Sequence, residues 1–286
     1  YGRRLDALAG ELAALMPAAI LQEGTPSRQV LDHARAGYES TRAQMVAVQE
    51  ELDWHTYRLY GLIDEDLTVS GGDWKTDLAD EVPGVRLGQR AFEVVLARRM
   101  AEGVESSEWF NRHGSTPVID VPDIWPEAYR RLVQRRLDAI ESVPSIRLLE
   151  RPEFKRRWVA EAWESKESDA LTAYVLDRLE SPELWLNATG PRVLSIAQLA
   201  DLVRNNQEIL AALRLLHATT DIDLTRALTS LLADEGVPFL AAWRYKPSGL
   251  RKRAEWESVW DLQRREDAGE KLSIPVPPKY GQADFR

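Results

Sequence analysis

The residues of this chain that could do chemistry are its histidines, its paired acids and its clustered cations. The four histidines, His33, His55, His113 and His217, form no His-Glu-x-x-His pair and no Cys/His cluster, so none has the spacing that a zinc site on one helix requires. His113 stands where a helix is expected to end and His55 lies among Trp54 and Tyr57; both read as structural. The chain has no cysteine, which removes disulfides, thiol nucleophiles and sulfur-bound metals together. The sequence holds no G-x-x-x-x-G-K-[ST] phosphate loop, no G-x-G-x-x-G turn and no G-x-S-x-G elbow. Acid pairs such as Glu50-Glu51 and Asp64-Glu65-Asp66 read as solvated faces in a chain with 46 acids. No catalytic residue and no metal ligand is assigned.

The cations say more. From Arg244 to Arg253 there are five bases and no acid, inside a chain of net charge −9. Between Pro126 and Arg157 nine bases stand against five acids, and between Arg244 and Arg265 seven stand against three. Phosphate contacts are local, and charges more than roughly 10 Å apart are screened at 0.1 M salt, so an acidic chain can hold DNA through such clusters. The candidate DNA-binding residues are Arg244, Lys246, Arg251, Lys252 and Arg253, with Arg130, Arg131 and Arg135 on a second helix. Pro247 and Gly249 are expected to bend the chain just before a helix over 253–267. Cations at a helix start face the positive end of its dipole, so their negative partner is expected from outside the chain. Such contacts position a protein without reading bases. Trp256 and Trp260, four residues apart, read as a core face.

The elements that would position these residues are helical. At 286 residues, 44% hydrophobic and 29% charged, the chain has the profile of a globular protein with ample core material. It has no run of about 18 apolar residues and no signal peptide, so a cytoplasmic protein without membrane contact is expected. A start at Tyr1 with a helix already under way reads as an excised piece. Leu5, Leu8, Leu12 and Leu15 space a helix over 3–16, and a second runs from Ser27 to about Tyr60; a short turn makes them an antiparallel hairpin. The expected domains are a helical spacer at 1–62, an acidic loop at 63–86, a helical lobe at 87–190, and a second lobe at 191–286 with a proline-rich tail. Helices are expected over 88–102, 107–113, 126–141, 152–160, 164–180, 196–217, 223–235 and 253–267, with a short strand at Leu67–Ser70. The fold class is mainly α: a long N-terminal helical hairpin, then one or two compact helical lobes with little β.

Five stretches carry a resemblance. They are QEELDWHTYRLYGLI (Gln49–Ile63), FNRHGSTPV (Phe110–Val118), IRLLERPEFKRRW (Ile146–Trp158), YKPSGLRKRAEWESVWDLQRREDAGE (Tyr245–Glu270) and IPVPPKYGQADF (Ile274–Phe285). In this order they resemble the C-terminal part of PglX-type adenine-specific DNA methyltransferases of the Pgl/BREX phage-defence systems. The resemblance implies a parent that methylates adenine N6 in DNA with S-adenosylmethionine and flips the base against an Asn-Pro-Pro-Tyr/Phe loop. This chain departs from that pattern. Its nearest string, Pro275-Val-Pro-Pro-Lys-Tyr280, lacks the Asn and inserts a lysine before the aromatic, and the glycine-rich cofactor loop is missing. The resemblance therefore implies a downstream, non-catalytic portion, inactive alone and without a cofactor of its own, that helps hold DNA. The alternative is a module that docks other defence proteins or a phage antagonist through the acidic 61–85 loop and the aromatic helices.

Overall fold

The leucine-spaced first helix, α1 (Gly2–Ala14), runs back along a much longer one, α3 (Arg28–Leu59), with the short α2 (Pro17–Ile20) at the bend. The pairing is antiparallel: Tyr1 meets His55, with ring centroids 5.6 Å apart, and a Cβ at Gly37 would lie 3.1 Å from Leu15. Leu12, Leu15, Met16 and Ile20 close over Ala34, Tyr38 and Trp163. Ser27 caps α3 by accepting from the Val30 amide at 3.3 Å. The structure, a computed structural model, describes residues 1–71, 82–158, 161–188, 190–236, 239 and 244–286. The expected acidic loop therefore lies partly outside the described residues. Among those described the fold is mainly α; the only named strands are Leu186–Asn187 and Gly190–Pro191, which pair antiparallel. No single described helix is long and apolar enough to cross a membrane.

Contacts divide the chain into two units, residues 1–20 with 31–163 and residues 21–30 with 164–286. In the first, α3 packs with α4 (Ala91–Ala101), against which α5 (Trp109–His113) lies, and with α6 (Glu127–Ser142) and α7 (Pro144–Leu149). Its core includes Trp54, Val94, Trp125, Tyr129, Leu132, Leu137 and Ile146. Gly114 ends α5 at φ 58°, a left-handed turn in which its Cβ-free backbone is unstrained. The second unit holds α8 (Trp163–Leu179) from Glu164 on, α9 (Pro182–Trp185), α10 (Ile196–Val203), α11 (Gln207–Leu216), α12 (Leu224–Leu231) and α13 (Pro247–Asp267). Ser195 forms the expected capping box with Gln198 at the start of α10.

Several expected elements differ. The helix expected over 196–217 is two helices, because the Asn206 side chain accepts from the amides of Glu208 and Ile209 and restarts the chain there. No helix forms over the described part of 152–160: turns follow Pro152, and the Lys155 side chain goes into the core instead. Leu67–Ser70 is not a strand. The Val69 amide donates to the Glu51 carboxylate at 2.7 Å and the Thr68 amide to Asp66 at 3.2 Å, so both donors are used by acids rather than by a neighbouring strand.

Glu50 and Glu51 are not a solvated face either. Both are buried on the side of α3 that meets α6 and Lys155. Glu51 pairs with Arg136 at 2.5 Å, and the same guanidinium donates twice to the Leu67 carbonyl at 3.0 and 2.8 Å. Glu50, Asp53 and Glu150 surround the Lys155 ammonium at 3.6, 2.7 and 2.8 Å. A third centre joins Arg90 to Glu93 at 2.7 Å, with the Trp109 indole donating to the same carboxylate oxygen at 3.0 Å. Among the described residues, each ion in this core meets a counter-ion or a backbone partner, as desolvation demands. Two cations of the 126–157 cluster, Arg136 and Lys155, are thus core residues.

Candidate nucleic-acid interface

The cationic segment begins a helix. Pro247 takes the first turn of α13, where its missing N–H would have had no partner, and Gly249 lies inside the helix. The expected bend is absent, and its glycine has another reason. The C-terminal tail returns antiparallel along α13: the Lys246 amide donates to the Asp284 carbonyl at 2.9 Å, and the Trp256 indole to the Pro278 carbonyl at 2.7 Å. A Cβ at 249 would lie 2.3 Å from the Asp284 carbonyl oxygen. Only glycine lets the two backbones come that close.

The electrostatics of the helix start follow from the same contact. Lys252 donates to the Asp284 carboxylate at 2.7 Å and to the Lys279 carbonyl at 2.8 Å. The tail thus brings a carboxylate of its own to a position where an external anion was expected. Arg253 pairs with Glu257 one turn on at 3.0 Å. Arg244 lies over the Phe285 ring at 5.7 Å from its centroid. Lys246 and Arg251 are exposed and, among the described residues, form no ion pair. The three α6 candidates each meet a carboxylate: Arg130 with Asp123 at 3.1 Å, Arg131 with Glu127 at 3.5 Å, and Arg135 with both oxygens of Glu65 at 3.0 and 2.8 Å. Exposed pairs of this kind are worth about 0–1 kcal/mol. A phosphate could replace the carboxylate at little cost, but these arginines are less available than Lys246 and Arg251.

Hydrogen bonds from the Lys252 ammonium and the Gly281 amide hold the buried Asp284 carboxyl down to about 2. Its folded value lies below its ordinary one, so its contribution is present above about pH 4 and is lost as pH falls through 2. The Trp256 indole N–H resonance should therefore keep its docked position from pH 7 to pH 4 and shift only below that. A shift centred near pH 4 would mean that Lys252 and Gly281 do not hold this carboxylate.

Trp256 fulfils the expected role only in part, since its ring is half-buried against the tail, and Trp260 is exposed. Sequence reasoning missed Asp284 and Gly281 entirely. Their signal was the charge pairing of one acid in the tail with one lysine 32 residues earlier, which no local pattern marks.

A family model described as a domain of unknown function (DUF7008) matches residues 45–286. The chain belongs to this family. It is also 48% identical, over 99% of its length, to the adenine-specific methyltransferase PglX of Streptomyces coelicolor (strain ATCC BAA-471 / A3(2) / M145). The chain spans 24% of the length of that relative, and the similarity is to its C-terminal part. No solved structure matches it. The block from Lys246 to Asp284, which the tail clamps into one piece, lies wholly within the family match.

Proposed function

We propose that this chain is the DNA-holding, non-catalytic C-terminal portion of an N6-adenine DNA methyltransferase. Its S-adenosylmethionine and its Asn-Pro-Pro-Tyr/Phe loop would lie elsewhere in the parent chain, and phage defence and a cytoplasmic setting would follow from that parentage. One observation carries the DNA reading: Lys246 and Arg251 stand exposed at the start of α13 without a carboxylate partner among the described residues, beside Arg244, while the next two cations are neutralised within the chain. A long cation without a counter-ion at the positive end of a helix is unfavourable unless an anion arrives. A row of phosphates supplies such anions.

The test is duplex binding as a function of salt. Each phosphate contact contributes about 0.9 to the slope of log K against log salt. Lys246→Glu with Arg251→Glu is expected to abolish retention on a 20-base-pair duplex at low salt. The corresponding alanine pair should lower the slope by about 2. An unchanged slope would remove both residues from the DNA surface and the reading with them.

A further inference from the structure

The docked tail also brings the rings of Tyr280 and Phe285 together with that of Tyr245, which lies just before the start of the helix. Tyr245 and Phe285 lie 5.4 Å apart between centroids, Tyr280 and Phe285 5.4 Å, and Tyr245 and Tyr280 6.3 Å, all tilted against one another. Tyr245 and Phe285 are half-buried where helix and tail meet. Tyr280, 38% exposed, is the most open of the three. Cations border the cluster: Arg244 lies over Phe285, and Arg253 is 5.9 Å from the Tyr245 centroid. Lys246 and Arg251 follow in the chain. The acids at hand, Asp284 and Glu257, are occupied by Lys252 and Arg253.

We propose that this cluster is a stacking platform for an unpaired nucleotide, with the phosphates of the same strand held by Arg244, Lys246 and Arg251. An exposed aromatic residue in a cluster bordered by Arg244, with Lys246 and Arg251 next in the chain, is an arrangement that single-stranded nucleic acid recognises: the base lies on the ring and the backbone follows the charges. A base within a duplex has both faces covered by its neighbours and offers no such surface. The site therefore favours an unpaired strand over a duplex of equal length. The inference rests on the DNA-contact reading above and narrows it from any DNA to a strand with exposed bases. DNA and RNA share this chemistry, and the experiment separates them.

The test uses the 286-residue chain with a 15-mer of thymidylate, a 15-mer of uridylate and a 15-base-pair duplex, in fluorescence anisotropy at 50 mM salt. The single strand should bind more tightly than the duplex, and whichever 15-mer binds more tightly names the source. Tyr280→Leu, which keeps an apolar side chain but no ring, should weaken single-strand binding about tenfold, and Tyr280→Phe should leave it unchanged. On the unsubstituted chain, irradiation of a strand carrying 5-iodouracil should crosslink at Tyr280, a readout that no folding defect can imitate. Crosslinks only elsewhere, or Tyr280→Leu binding like the unsubstituted chain, would overturn the platform. Duplex binding that still depends on Lys246 and Arg251 would then leave the broader reading standing. If neither strand nor duplex binds, both readings fall.

Discussion

Lys155→Met should lower the stability of the first unit by about 3–5 kcal/mol at pH 8, the range expected when one partner of a buried ion pair is removed. The side chain of Lys155 is only 2% exposed, and three carboxylates converge on its ammonium. Burial alone would depress its pKa, but Glu150, Glu50 and Asp53 together outweigh that and hold it well above the ordinary value. Without the ammonium those carboxylates repel one another out of water, and Tyr57, which donates to Glu150 at 2.7 Å, offers the cluster one hydrogen bond and no charge. The loss should shrink toward pH 5, where the acids can take up protons. Glu50 already does so in the unsubstituted chain: burial raises its pKa to about 7, against the pull of Lys155. A raised folded pKa means stability that is full below about pH 4.5 and lost as pH rises through 7, by about 3 kcal/mol at most. Urea unfolding at pH 5 and pH 8 measures both effects, and Glu50→Gln should flatten the pH dependence. A Lys155→Met variant as stable as its parent at pH 8 would show that the cluster is not closed to water.

Gly249→Ala should detach the tail. Within a helix this change ordinarily stabilises by about 1 kcal/mol, because glycine loses more backbone freedom than alanine on folding. Here the added methyl carbon would lie 2.3 Å from the Asp284 carbonyl oxygen and 3.0 Å from the Tyr245 ring. No rotamer relieves a Cβ that strikes backbone, so either α13 or the tail moves. Overpacking of this kind costs about 1–3 kcal/mol. The tail should yield, since exposed or half-exposed contacts hold it: Lys252 to Asp284 and to the Lys279 carbonyl, Ser248 to the Ala283 carbonyl, Trp256 to Pro278, and the amides of Lys246 and Arg286 to the Asp284 and Arg244 carbonyls. Hydrogen exchange would show faster exchange at the Lys246 and Arg286 amides with the rest of the second unit unchanged. Tight protection at both amides in Gly249→Ala would mean that the close approach is not what retains glycine there.

The sign of that change separates what was legible in the sequence from what was not. Local signals were sound: leucine spacing placed α1, Ser27 and Ser195 marked helix starts, and Gly114 marked an end. Each depends on residues within a turn of one another. One failure is local, since Asn206 splits the expected 196–217 helix by accepting from amides two and three residues on; the others below involve partners far along the chain. Pro247 and Gly249 look like a bend until a tail some 35 residues later occupies the space beside the glycine. Glu50 and Glu51 look solvated until Arg136 and Lys155, 85 and 105 positions on, claim them. The cationic stretches were visible as charge, but which of their members are neutralised within the molecule could not be read from spacing. Asp284 decides that for Lys252, and Glu65 for Arg135.

The Glu51–Arg136 contact bears on how this sequence can drift. Both side chains are essentially excluded from water, and the guanidinium lies 5.5 Å from the Trp54 ring centroid. Losing either partner strands the other, whereas exchanging both for apolar side chains of similar volume is often neutral or better. Positions 51 and 136 are therefore expected to change in step among descendants of this chain, with no viable intermediate carrying only one of the two replacements.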